Sequence, residues 1–399
     1  MSKIEAKIID FIQKHVLILG FAAVSIIALI LRKNLFDFQS GDWNCFLKPW
    51  IDQLNQYDGL NGIGHEIGEY NVPYMLFLNI IAKTSFNDLY EVKAFSILFD
   101  YICALFIIRI TFDKKDFISP KSLIVYTIAM MSPISFLNSA YWAQCDVIYT
   151  AVMLICLYCL IKEKYLGTMI AFGFAISLKL QAVFFLPVLL IYYFAAKKMS
   201  IKYVLAVPVV YLLSILPAVI AGRGFMDTLR IYTKQTKLYS SLTMNCPNIY
   251  YIVSGDFEMF KKMGMLLTMT ILGIAACYFI YHKITSRNAY IMLAFWCSMV
   301  CVYFLPNMHE RYSYAACIFG IIYAVANKKG WWIAFGVNLV SLLSWTPYLF
   351  NITAVKFEYL SIINLVLLVA LSIQLFNVKN EAADAVKPSA AVVSKKTAK

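Results

Sequence analysis

Apolar runs and short polar breaks alternate along most of the chain. Runs at 15–31, 92–110, 121–137, 147–161, 201–221, 263–281, 289–305, 312–326, 331–350 and 359–376 approach the ~20 apolar residues that cross a hydrocarbon core. The block 166–194 is too long for one helix and divides near Lys179-Leu180-Gln181 into two. The pattern predicts about twelve transmembrane helices. A chain in lipid must satisfy its own backbone, and open strands cannot do so. The predicted fold class is therefore an all-α polytopic membrane protein. The run 70–82 is too short to span and reads as a re-entrant or interfacial helix. Residues 1–376 form one transmembrane domain with two long polar loops, 34–91 and 222–262. Residues 377–399, rich in Ala, Lys and Val without periodicity, read as a disordered cytoplasmic tail.

Composition agrees: 61% of the residues are hydrophobic and 14% are charged. The net charge of +13 would suggest nucleic acid in a soluble protein. Here the basic residues sit mostly between apolar runs, so they report orientation and no nucleic-acid partner is expected. Alternation puts the N-terminus, Lys114-Lys115, Lys162, Lys164, Lys197-Lys198, Lys283, Arg287, Lys328-Lys329 and the tail on one side, the cytoplasm. The N-terminal run is long enough to span, and no cleavable signal peptide is expected. Most of the ten cysteines lie inside apolar runs and read as small buried hydrophobes, the Cys156/Cys159 pair included. Cys45, Cys145 and Cys246 fall in loops, and nothing in the sequence argues for a disulfide.

The unusual polar islands all fall on the other side. Asp42, in the first outer loop, reads as a general base or as a solvated loop acid. Asp52, Asp58, Glu66 and Glu69 are weaker candidates, and His65-Glu66 has no further ligands at metal-site spacing. Trp142, Gln144 and Asp146 share a tight loop that offers a ring face and polar forks suited to a sugar; Asp146 equally suits a helix N-cap. Lys179 stands inside an apolar block beside Gln181, where a cation needs an anionic partner. Arg223, Arg230, Lys234 and Lys237 make the second long loop unusually basic for its side. His309-Glu310-Arg311 closes a span; its His and Arg can bind a phosphate, or Glu310 and Arg311 form a structural pair. No GxGxxG, P-loop or HExxH occurs, so no cofactor or metal is expected.

These islands carry a resemblance. Gly41-Asp42, Phe46-Leu47, Pro49-Trp50, Tyr70-Asn71-Val72-Pro73-Tyr74, the stretch from Trp142 through Asp146 to Thr150, Ser177-Leu178-Lys179-Leu180-Gln181, Leu186-Pro187 and Leu305 through His309-Glu310-Arg311-Tyr312 run in order. Together they resemble the polytopic GT-C glycosyltransferases, in particular bacterial mannosyltransferase-like proteins related to the GPI and dolichol-pathway mannosyl- and glucosyltransferases. The resemblance implies a GT-C-like helix bundle in the cell membrane, with its active site outside the cytoplasm. It implies inverting transfer of a hexose from a polyprenyl-phosphate sugar to a lipid-linked or cell-envelope glycan. Asp42 would be the catalytic base. His309, Arg311 and Lys179 would hold the donor phosphate, and Trp142, Gln144, Asp146, Gln181 and Glu310 the sugar or acceptor. Many family members carry two adjacent acids in the first loop; here Gly41 and Trp43 flank a single one. A transporter or flippase of lipid-linked saccharides is the alternative, though the chain shows no clear internal repeat and its polar islands lie on one face. An acyltransferase built on His309 would leave Asp42 and Lys179 unexplained.

Overall fold

The computed structural model describes residues 1–236 and 238–378, so Lys237 and the expected disordered tail, except for residues 377 and 378, lie outside the described residues. The protein is an all-α polytopic membrane protein. Helix α1 (Lys3–Lys33) opens with a capping box: the Ser2 hydroxyl accepts from the Glu5 amide and the Glu5 carboxylate from the Ser2 amide. The first loop is ordered. It holds a π-helical turn (Trp43–Leu47), α2 (Lys48–Asn55) and α3 (Val72–Ile81), the last capped by Asn71. Then follow α4 (Asp88–Thr111), α5 (Pro120–Met131) and α6 (Pro133–Phe136). The chain bends by 41° at Pro133, which cannot continue the α5 hydrogen-bond ladder.

Helices α7 (Asp146–Ile161) and α8 (Tyr165–Leu178) pack as a hairpin. The long apolar block breaks where expected. Lys179 is extended, a 3-10 turn covers Leu180–Phe185, and α9 is Leu186–Ala196. After α10 (Ala206–Ile220), the second polar loop also proves structured, with α11 (Phe225–Leu229), α12 (Ile231–Gln235) and strand β1 (Thr243–Met244). The bundle ends with α13 (Phe257–Tyr281), α14 (Arg287–Phe304), β2 (Met308–His309), α15 (Tyr314–Ala326), α16 (Trp331–Phe350) and α17 (Phe357–Leu375). Strands β1 and β2 pair in parallel, Thr243 with Met308 and Met244 with His309. All ten cysteines are free thiols.

Each of the twelve predicted spans is a helix, but they are not equal. Seven are long and apolar enough to cross a membrane, eight if the pair bent at Pro133 counts as one. Helices α7, α8 and α15 have 16, 14 and 13 residues, about 20–24 Å at 1.5 Å per residue, short of a ~30 Å hydrocarbon core. The shortening has a use. The start of α7 and the end of α8 stop at the same polar cluster, where α14 ends and α15 begins. Helix α14 is buried continuously from Ala289 to Phe304 and forms the centre, as an all-round apolar helix must. Helices α1 and α10 stand at the periphery, with only 6% and 11% of their apolar windows covered by protein.

A buried ion pair joins the periphery to the centre. The Arg32 Nε donates to Asp100 Oδ2 at 2.8 Å, and both side chains are inaccessible. Arg32 also donates to the Met130 carbonyl and Ser135; Asp100 accepts from Ser135 and Ser139. Arg32, at the end of α1, thus ties α1, α4, α5 and α6 together. Lys93, wholly buried, donates to the Leu35, Phe36 and Phe38 carbonyls at 2.7–2.8 Å and fixes the chain as it leaves α1. Asp100→Ala strands a buried guanidinium and lowers stability by about 3–5 kcal/mol, whereas Arg32→Met with Asp100→Leu recovers most of the loss; thermal unfolding in detergent reads both.

Candidate active site

The site is built from the turn between α6 and α7. Ala143 adopts φ +63°, a left-handed conformation that costs an alanine about 1–2 kcal/mol and persists only when its surroundings impose it. They do. The Gln144 amide donates to the Asn138 carbonyl at 2.9 Å, Ser96 donates to the Gln144 carbonyl at 2.9 Å, and Ser40 donates to the Trp142 carbonyl at 2.8 Å. The reversal turns Trp142 and Gln144 toward one atom. Trp142 Nε1 donates to Asp42 Oδ2 at 3.0 Å, and Gln144 Nε2 donates to the same oxygen. The other oxygen, Oδ1, accepts from Tyr348 Oη at 2.7 Å. Arg311 Nη1 stands 3.4 Å from Oδ2. Asp42 is thus 8% exposed, and it lines a cavity of about 550 Å³.

Arg311 is shared. Its Nη1 is also 3.5 Å from Glu310 Oε1, its guanidinium lies over the Trp142 and Tyr312 rings, and its Nε has no partner among the described residues. The segment that carries it is pinned from outside. Asn307, in the left-handed conformation at φ +60°, donates from its side chain to the Tyr239 and Ser241 carbonyls and from its amide to Leu242. Met308 and His309 then pair with β1. The second long loop therefore folds over the cavity, and Tyr232, Gln235 and Tyr239 line it. That loop is in turn held to the first loop, where Lys234 pairs with Glu66 and Gln235 donates to the Glu69 carbonyl.

Lys179 needed an anion, and Asp146 supplies it: Nζ lies 2.5 Å from Asp146 Oδ1, while Asn138 donates to Oδ2. The ammonium also sits over the Tyr70, Tyr149 and Tyr312 rings at 5.6–5.8 Å, within cation–π range.

The structure brings Asp42, Gln144, Lys179, Gln181, His309 and Arg311 to the wall of one cavity. Trp142 and Asp146 are fully buried and Glu310 is 3% exposed, and these three stand behind that wall. One face of Trp142 is stacked on Tyr348 and its ring meets the Trp345 edge, and the rings that line the cavity are others, among them Trp50, Tyr70, Tyr239 and Tyr312. Asp146 is the first residue of α7, not its N-cap, which is Cys145. His65 stacks on Tyr57 with Glu66 engaged by Lys234, and among the described residues no three His, Cys, Asp or Glu converge as metal ligands. Glu69, ranked low from sequence, lines the cavity half-buried. Burial raises its carboxyl above the ordinary range while Arg311 pulls the other way.

Burial, then the charges of Arg311 and Lys179, push the His309 imidazole down to about 2. The imidazole therefore offers a hydrogen bond and no charge. Burial pushes the neighbouring Glu310 carboxyl up to about 7, against Arg311. The lining is mixed: Asp42, Glu69, Lys179, Lys261, His309 and Arg311 share it with apolar residues such as Leu178, Val183, Phe184, Met265 and Leu305.

The model of glycosyltransferase family 87 matches residues 88–306, more than half of the 399-residue chain. The chain belongs to glycosyltransferase family 87. It is a GT-C-type membrane glycosyltransferase, in agreement with the resemblance its motifs carry. No curated protein matches it. The matched segment holds the Trp142–Asp146 turn and Lys179, but neither Asp42, Arg311 nor Tyr348. In this glycosyltransferase the site is completed by the first loop and by the helices after residue 306.

The folded Glu310 takes up its proton near pH 7 rather than at the ordinary 4.5, so its contribution to stability is full below about 4.5 and is lost as pH rises through about 7. Replacing it by Gln removes that falling slope. The thermal midpoint of Glu310→Gln minus that of wild type should therefore rise with pH between about 4.5 and 7; a flat difference would show that Glu310 titrates normally.

Proposed function

We propose that the protein transfers a hexose, with inversion, from a polyprenyl-phosphate sugar to a hydroxyl of a lipid-linked or cell-envelope glycan, on the extracytoplasmic face of the cell membrane. The observation that carries this reading is the Asp42 carboxylate, held by three hydrogen-bond donors and beside Arg311 at a cavity lined by both charged and apolar side chains. An isoprenoid phosphate sugar combines the same two chemistries.

Asp42 accepts the proton of the acceptor hydroxyl as that oxygen attacks the anomeric carbon. The bond from that carbon to the phosphate oxygen breaks on the opposite face, and its electron pair leaves as polyprenyl phosphate. Arg311 stabilises that charge as it develops, with Lys179 behind it and His309 donating a hydrogen bond. Arg311 is balanced by Asp42 and Glu310, and Lys179 by Asp146. A donor phosphate therefore competes with Asp42 for Arg311, and its binding loosens one of the four contacts that hold the base. The basic residues at the opposite ends of the helices support an external site by the positive-inside rule, which makes both termini cytoplasmic.

Purified protein is to be assayed for release of polyprenyl phosphate from polyprenyl-phosphate mannose, glucose and galactose in the presence of envelope glycolipids. Asp42→Asn should lower turnover about 10²–10⁴-fold with little change in donor binding, whereas Arg311→Ala should weaken both. Wild-type turnover by Asp42→Asn would remove Asp42 as the base. If none of these donors is consumed while lipid-linked glycan crosses a vesicle membrane, the protein is a transporter.

A further inference from the structure

Tyr348 lies near the end of α16, more than 300 residues from Asp42 in sequence and outside the matched family segment. Its position is built. Pro347 sits inside α16 and cannot donate to the Leu343 carbonyl. The Thr346 hydroxyl takes that carbonyl instead, at 2.9 Å. The Tyr348 ring stacks on Trp142 at 5.0 Å and 25°, and Trp142 is itself a donor to Asp42. Gly41, the residue before Asp42, leaves room for the phenol: a Cβ there would lie 2.8 Å from Tyr348 Oη.

The division of labour at Asp42 is unequal. Oδ2 accepts from Trp142 and Gln144 and faces Arg311, whereas Oδ1 accepts only from Tyr348. A carboxylate oxygen offers two acceptor sites. Oδ2 is therefore filled and Oδ1 keeps one lone pair.

We propose that Tyr348 is a positioning residue that fixes Asp42 Oδ1 as the proton-accepting oxygen, holding one lone pair and leaving the other turned to the acceptor hydroxyl. This inference rests on the reading of Asp42 as the base. The Tyr348 hydroxyl gives no proton to the substrate. It sets the rotation of the carboxylate about its terminal torsion, which alone is broad and roughly two-fold. The other titratable groups that face Asp42 are Arg311, Glu310 and, from the covering loop, Tyr239. Among the described residues, Tyr348 alone donates a hydrogen bond to Oδ1.

The test is the steady-state kinetics of polyprenyl phosphate release from the donor found active, by the full chain in detergent. Tyr348→Phe keeps the ring stack and removes the hydroxyl. Its kcat should fall about tenfold while its KM for donor changes less than about twofold. A purely structural loss would instead lower the thermal midpoint and disturb KM together with kcat. Gly41→Ala leaves the tyrosine in place and crowds the same bond, so it should lower kcat with the same unchanged KM even if Tyr348→Phe fails to fold. A wild-type kcat in the folded variants, with Asp42→Asn inactive, would overturn the assignment of Tyr348 alone. Wild-type turnover by Asp42→Asn would overturn the base itself and this inference with it.

Discussion

A carboxylate carried to membrane depth has to be met by donors, because lipid supplies none. Three buried aspartates meet that demand. Asp100 is met by Arg32, Ser135 and Ser139. Asp146 is met by Lys179 and Asn138. Asp42 is met by Trp142, Gln144, Tyr348 and Arg311. The donors come from helices and turns far apart in sequence. Satisfying the carboxylates therefore dictates which elements meet, more narrowly than apolar contact between lipid-facing helices can.

The three differ in how closed they are. Asp100 and Asp146 are 2% and 0% exposed and serve as joints in the scaffold. Asp42 is held by more partners than either, yet it keeps an edge on the cavity. Its two oxygens are also unequally used. In the proposed reaction the same physics that builds the joints also builds the base.

Two cations of the cavity wall are already balanced. Lys179 is closed off by Asp146 and a cluster of tyrosines; Arg311 lies between Asp42 and Glu310. In the proposed reaction the same guanidinium holds the resting base and then the leaving phosphate. Loops that look like connections in the sequence roof this site. Asn307 and Met308–His309 tie the second long loop to the end of α14, so the covering segment and Arg311 are placed by one set of backbone bonds.

The sequence by itself determined the polytopic all-α membrane class, the break at Lys179 and the grouping of the polar islands. These follow from hydropathy period, residue type and the sign of the loop charges, which are local properties. Asp42, Gln144, Lys179, Gln181, His309 and Arg311 stood out as candidates by residue type and position, although Asp42 read equally as a solvated loop acid and Arg311 as half of a structural pair; the structure sets all six on one cavity. Tertiary structure alone decided the pairings. Trp142, Asp146 and Glu310 look equally functional in sequence, yet packing sets them behind the wall. Lys93 and Asp100 lie inside an apolar run that masks them, and their partners lie up to 68 residues away. Tyr348 carried no signal, because a tyrosine near the end of a span is ordinarily an interfacial anchor. Its role arises only when α16 packs beside the first loop and sets a phenol 2.7 Å from Asp42.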